Sequence, residues 1–118
     1  MRRVKFVRSS SLVRQFSARG SSVHELVNSE DGASLAAGLV YFKDAHIDFT
    51  LWYDEALFCV SREESFSVLV EGEEHFLDPG DMLWLPSGSS LVYRSRGTAA
   101  AIWAVTPPDW AKRRPAGV

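Results

Sequence analysis

From about residue 33 to residue 105 the chain is cut into short apolar stretches by turn-forming residues at nearly regular intervals, and this cadence is what most constrains its fold. The stretches fall at residues 35–42, 47–53, 56–60, 66–70, 75–77, 82–85, 91–95 and 99–105. Between them lie Lys43-Asp44, residues 62–65, Glu71-Gly72, Asp78-Pro79-Gly80-Asp81, residues 86–90 and Arg96-Gly97. Glycine, proline, aspartate and serine favour turns, and the stretches between them are too short and too alternating for helices. Many short strands with even spacing predict an all-β fold that closes on itself, as a barrel or a double sheet. The last strand must end at Thr106-Pro107-Pro108, because neither proline can donate to a ladder.

Residues 1–32 are less patterned. Val4 and Phe6 alternate with charge and predict an edge strand, residues 23–27 predict another, and serines at 9–11, 17, 21 and 22 interrupt the rest. The expected organisation is an N-terminal arm over 1–32, partly ordered, one domain over 33–110 and a tail over 111–118. A chain of 118 residues with 46% hydrophobic content holds one core.

Charge and cysteine content narrow the partners. A formal net charge of −2 supplies no global attraction to nucleic acid or anionic lipid, and the basic residues near both ends lack the interleaved aromatics of a nucleic-acid surface. No apolar run reaches the length of a membrane helix, and nothing after Met1-Arg2-Arg3 forms an export signal. The single cysteine, Cys59, excludes an internal disulfide, so the expected setting is the reducing cytoplasm. Cys59 lies in an apolar strand with no nearby cation in sequence and is expected to be a buried, inert thiol.

Two segments carry a resemblance. Gly80, Pro86 and Gly88, with Leu91 three residues on, stand at the spacing of the second cupin motif, in which a histidine occupies the place of Leu91. Thr50-Leu51-Trp52-Tyr53-Asp54-Glu55 resembles the first cupin motif as the ethanolamine-utilisation EutQ family carries it, with Glu55 at the motif's glutamate. Thr106-Pro107-Pro108-Asp109-Trp110 is similar to the closing stretch of that family. The resemblance covers roughly residues 38–110 and implies a jelly-roll barrel, the cupin double-stranded β-helix, in the setting of ethanolamine or related small-metabolite metabolism. It also implies a link to acetate kinase activity, although the sequence holds no glycine-rich phosphate loop with its lysine.

The departures from the motif matter for chemistry. The His-x-His pair of metal-binding cupins is replaced by Asp48 and Thr50, or by Phe49 and Leu51 if the spacing is one shorter. Arg62 replaces the glycine that usually ends the first motif, so a longer turn is expected after Val60. His24, His46 and His75 are not at motif spacing and are assigned to surface or hairpin packing. One carboxylate is too few ligands for a specific transition-metal site, so neither metal nor another cofactor is expected.

The side chains that the resemblance turns inward make a second kind of site. Glu55 is inward in the resembled fold, and strand alternation puts Tyr53 on the same face, as it puts Tyr93 on the face of Leu91. A carboxylate among aromatic rings is held towards neutrality, and a phenol beside it can support a developing oxyanion. Glu55 and Tyr53 are therefore the candidate catalytic residues. Tyr93, Thr50, Leu91, Trp84, Trp103 and Tyr41 are the candidate ligand contacts. Trp84 and Trp103 are expected mainly as core, and Trp110 as an anchor for the tail. The expected partners are a small-molecule ligand and a second copy of the chain, a homodimer, with no nucleic acid or membrane. Three functions remain open at this point: metal-independent acid/base chemistry of isomerase, lyase or cyclase type, a non-catalytic module in which Glu55 and Tyr53 only satisfy each other inside a filled barrel, or a metallocupin with an irregular site of Glu55, Asp48 and a histidine from elsewhere.

Overall fold

The computed structural model describes residues 3–117. Nine strands follow one another: β1 (Ser21–Val27), β2 (Ala36–Lys43), β3 (His46–Thr50), β4 (Asp54–Arg62), β5 (Ser65–Val70), β6 (Glu73–Phe76), β7 (Met82–Leu85), β8 (Ser90–Arg96) and β9 (Thr98–Thr106). Three short 3-10 turns, at Ser9–Ser11, Ser29–Asp31 and Trp110–Arg113, complete the regular structure. The larger sheet runs β1-β2-β9-β4-β7 and the smaller β3-β8-β5-β6, with every pairing antiparallel. Two sheets facing each other in this order form the jelly-roll barrel that the cadence and the motifs predict.

The period-two pattern explains why the strands pack as they do. On β4, Glu55, Leu57 and Cys59 are buried while Phe58 and Val60 face out. On β9, Ala99, Ala101, Trp103 and Val105 are buried in the same way. Phe66 and Val68 on β5 meet them from the opposite sheet, so the core is a layer between the sheets rather than a centre within one. The motif turns behave as their residues dictate. Gly80 and Gly88 have φ of 97° and 93°, the left-handed region that admits glycine without strain.

Three local expectations need correction. Val4 and Phe6 are exposed and belong to no strand, because local alternation does not supply the neighbouring edge a strand needs. The arm instead crosses the outer face of β1 and β2, where the Arg14 guanidinium lies 4.0 Å from the Tyr41 ring centroid and the Gln15 amide donates to Ser22 Oγ at 3.1 Å. The turn after Val60 is not lengthened: β4 continues to Arg62 past a bulge between Cys59 and Ser61. The bulge absorbs an extra residue without breaking the strand, and it lets Arg62 reach Asp78 at 2.6 Å. His46 lies within β3, not in the turn before it.

Candidate functional site

The core layer is incomplete at one end of the barrel, where the sheets enclose a cavity of about 270 Å³. Val40 and Phe42 of β2, Trp103 and Val105 of β9 and Glu55 and Leu57 of β4 form one wall. Ile47 and Phe49 of β3 and Tyr93 of β8 form the facing wall. Trp52 and Tyr53, which precede β4, and Trp110, which follows β9, close the side. Ser21, Val23 and Arg114 reach the cavity too, and Val23 and Arg114 are exposed, so the mouth lies on their side.

Glu55 is the buried acid of this cavity, 6% exposed. Tyr93 reaches across from the smaller sheet and its hydroxyl donates to Glu55 Oε2 at 2.8 Å. Two effects therefore act on the carboxyl in opposite directions. Burial strips water from the charged form and raises the pKa, while the Tyr93 hydrogen bond favours the charged form and lowers it. Burial wins, and the Glu55 carboxyl is pushed up from 4.5 to about 7. The phenols respond in the same sense. Tyr53 and Tyr93 are both raised above their ordinary value, first by burial and then by the Glu55 charge, so each stays a neutral donor.

The aromatic side wall is a linked cluster. The Tyr53 ring meets Trp52 at 5.1 Å and Trp110 at 5.0 Å between centroids, and Trp103 meets Trp110 at 6.0 Å. Trp52 Nε1 donates to the Trp110 carbonyl at 2.7 Å, and Trp110 Nε1 donates to Glu25 Oε2 of β1 at 2.7 Å. Trp110 thus pins the chain end, as its position after two prolines suggests, and is also a cavity wall. Trp103 fits because residue 38 opposite it is glycine: a Cβ at Gly38 would meet the His24 carbonyl and come within 2.8 Å of the Trp103 ring.

A cavity of this kind, with one buried glutamate between two sheets, can be compared with known proteins. The family profile described as "Ethanolamine utilisation protein EutQ" matches residues 4–112. The chain belongs to the EutQ family. A EutQ relative, the acetate kinase EutQ of Escherichia coli K12, is 30% identical over 86 residues, which cover 73% of this chain and 36% of that protein. The chain thus spans little more than a third of the length of that relative. The crystal structure of EutQ from Salmonella typhimurium LT2 superposes with a TM-score of 0.80 at 27% identity, covering 89% of this chain and 87% of that one. Ectoine synthase from P. lautus superposes with a TM-score of 0.73 at 18% identity, over 89% of this chain and 79% of that one, a likeness of fold.

Within this EutQ-family barrel the residues singled out from sequence divide sharply. Glu55, Tyr53, Tyr93 and Trp103 meet at the cavity, and the direct partner of Glu55 is Tyr93, with Tyr53 beside it. Thr50 does not contribute. Ile47 and Phe49 face in, so Thr50 faces out and shares a 3.0 Å hydrogen bond with Ser90. Tyr41 is likewise on the outer face, where Arg14 and His24 cover it. Leu91 is inward but is spent in the core away from the cavity. Trp84 is 61% exposed on the outer face of β7, neither core nor cavity wall. Trp52, Phe49 and Trp110 line the cavity although sequence reasoning gave them no ligand role. The Tyr-Asp-Glu signature lies one residue from Trp52 and was the available signal.

The same register settles which side chains stand at the metal positions of a cupin. Phe49 and Leu51 point inward where the histidine pair would be, and Leu91 stands in place of the third histidine. Among the described residues no three His, Cys, Asp or Glu side chains come together. The donor set around Glu55, one carboxylate and two neutral phenols, does not fit a transition-metal site of ordinary composition. Cys59, fully buried, is kept from ionising by that burial. Among the described residues no helix is long and apolar enough to cross a membrane.

Proposed function

We propose that the cavity binds a small metabolite and that Glu55 moves a proton on it without a metal, as in an isomerisation, elimination or cyclisation. The observation that carries this reading is the Glu55–Tyr93 pair: a carboxyl with a pKa of about 7, held at 2.8 Å by a phenol, inside a cavity that opens to solvent. Near neutral pH such a group populates both forms, which general acid and base catalysis requires. In the simplest step the Glu55 carboxylate takes a proton from carbon next to a carbonyl, the C–H bonding pair forms a carbon–carbon double bond, and the carbonyl π pair moves onto the oxygen. Tyr53 donates a hydrogen bond to that oxygen, and the Glu55 acid returns the proton at a second position. Tyr93 fixes the carboxyl orientation throughout. The relatives' names place the family in ethanolamine utilisation and give acetate kinase activity to longer proteins. Ectoine synthase shows the same barrel in a biosynthetic enzyme.

The test is a screen of small carbonyl metabolites by NMR, followed by solvent-deuterium exchange into each binder. Exchange that is at least about a hundredfold slower in Glu55→Gln supports the reading, a loss in the usual range for a general acid or base. Binders that take up no deuterium, or take it up equally in the variant, refute it.

A second reading, a dimeric accessory module, has its own observation. Leu39, Ile102, Phe58 and Met82 stand in register across four strands on the outer face of the larger sheet, with Trp84 beside them. Phe58, Met82, Trp84 and Ile102 are 41, 61, 61 and 44% exposed, a contiguous apolar row rather than scattered residues. A two-fold axis through such a face pairs the row with itself, so a second copy is the natural occupant.

A further inference from the structure

We propose that the ligand class of the cavity is a small organic ammonium ion, whose charge is taken by the free oxygen of Glu55 and whose carbon-bound hydrogens lie on the surrounding aromatic rings. This rests on the reading of the cavity as a small-molecule site and adds the chemistry of its ligand.

Two independent features lead there. The first is the unfilled valence of the buried acid: Tyr93 engages Oε2, and among the described residues Oε1 has no hydrogen-bond partner. Glu55 is 6% exposed and lines the cavity, so a ligand donor can meet its second oxygen, while Trp103 Nε1, the buried side-chain polar atom left without a partner among the described residues, can donate to a ligand hydroxyl in the same lining. The second is the lining. Trp52, Tyr53, Trp103 and Trp110 form one linked aromatic wall, and Phe42 stacks on Tyr93 at 5.9 Å on the other side of Glu55. Ring faces around a single acid are the arrangement that attracts an alkylammonium group, since each face is the negative end of the ring quadrupole. A hydrophobic neutral ligand would use the rings and leave Oε1 unsatisfied. An anion would meet the Glu55 charge.

At the rim, one ring of the wall already meets a cation. The Arg114 guanidinium lies 5.9 Å from the Trp52 ring centroid, at the rim. With Arg114 at the mouth and Glu55 within, the inner end of the cavity is the negative one, so the ammonium end of a ligand points inward. A cavity of about 270 Å³ has the volume of roughly nine liquid waters, enough for an ion of about seven heavy atoms.

Binding then couples to protonation. The other titratable or charged side chains facing the cavity are Tyr53, Tyr93 and Arg114, and burial holds the two phenols neutral. Glu55 alone must lose its proton for the ammonium to bind well. Below its midpoint the affinity falls about tenfold per pH unit, and above it the affinity is flat.

The experiment is calorimetric titration of the whole chain at pH 8 and low salt. The probes are (2-hydroxyethyl)trimethylammonium, propylammonium and the neutral isostere 3,3-dimethylbutan-1-ol. The expected result is that the quaternary ammonium binds at least about tenfold more tightly than its isostere, a ratio in keeping with a desolvated cation–π site. Glu55→Gln should cut ammonium affinity by about tenfold or more and leave the isostere within about twofold. Trp110→Leu is the second variant, used if Glu55→Gln does not keep the native circular dichroism; it should weaken the ammonium more than the isostere. Equal binding of ion and isostere, no heat from either ammonium, or indifference to both substitutions overturns the proposal. Glu55-dependent proton exchange on a neutral carbonyl with no ammonium binding would sink this inference and leave the acid/base reading standing. Ammonium binding with no exchange on any binder would do the reverse.

Discussion

Replacing Glu55 by glutamine should make the protein more stable at pH 8 while leaving it little changed at pH 4.5. In the folded chain the Glu55 carboxyl has a pKa of about 7, against 4.5 when it is solvated. A carboxyl raised in this way gives stability that is fully present below 4.5 and is lost as pH rises through 7, because between those values the folded state holds a proton that the unfolded state has released. The gap between 4.5 and about 7, at 1.36 kcal/mol per pH unit, amounts to about 3 kcal/mol, an order-of-magnitude figure for a group this deeply buried. Glutamine has nearly the same shape, still accepts from Tyr93 through its carbonyl, and does not titrate. Urea unfolding of both proteins at pH 5, 6, 7 and 8 isolates the contribution, since every other carboxylate is common to the pair. The difference should grow by about 2 to 3 kcal/mol across that range, with most of the change below pH 7. A difference flat to within about 0.5 kcal/mol would show that Glu55 is not held near neutrality by burial, and the acid/base reading would lose its basis.

Other expectations follow from single contacts. Tyr93→Phe removes the hydrogen bond that favours the Glu55 anion, so the carboxyl midpoint should rise by about one pH unit in a carbon-13 NMR titration, and an unchanged midpoint would refute the pairing. Gly38→Ala has no room between the His24 carbonyl and the Trp103 ring, and should cost about 1 to 3 kcal/mol in thermal or urea unfolding; a neutral result would mean that the β1 backbone at His24 and the Trp103 ring can both give way. Phe58→Glu on the outer apolar row should shift sedimentation velocity from dimer to monomer at about 100 μM, a concentration where a micromolar dimer is mostly assembled. A wild-type chain that sediments as a monomer would count against a second copy as the occupant of that face. Cys59 should react with an alkylating reagent only after unfolding, because burial both shields the thiol and raises its pKa; fast native alkylation would contradict that.

The sequence by itself determined the architecture, because strand periodicity and turn chemistry are local. The turn residues from Lys43-Asp44 to Arg96-Gly97 and the apolar alternation between them mark eight strands over residues 35–105, and residues 23–27 mark a ninth, almost without reference to tertiary contacts. It determined Glu55 as well, through the motif that surrounds it. What it left open was anything that depends on register or on which sheet faces which. Thr50 and Phe49 are neighbours in a strand, and a shift of one residue exchanges cavity for solvent, so the choice between them needed the pairing of β3 with β8. Tyr41 and Trp84 read as interior residues by hydrophobicity, but their parity on β2 and β7 turns them outward. The contact between Glu55 and Tyr93 spans 38 residues and joins opposite sheets, and the place of Trp110 in the cavity wall depends on a chain end folding back. Such meetings arise from closing the barrel. No local rule encodes them, and the carboxyl's shift to near-neutral pKa, which comes from being enclosed, belongs to the tertiary structure alone.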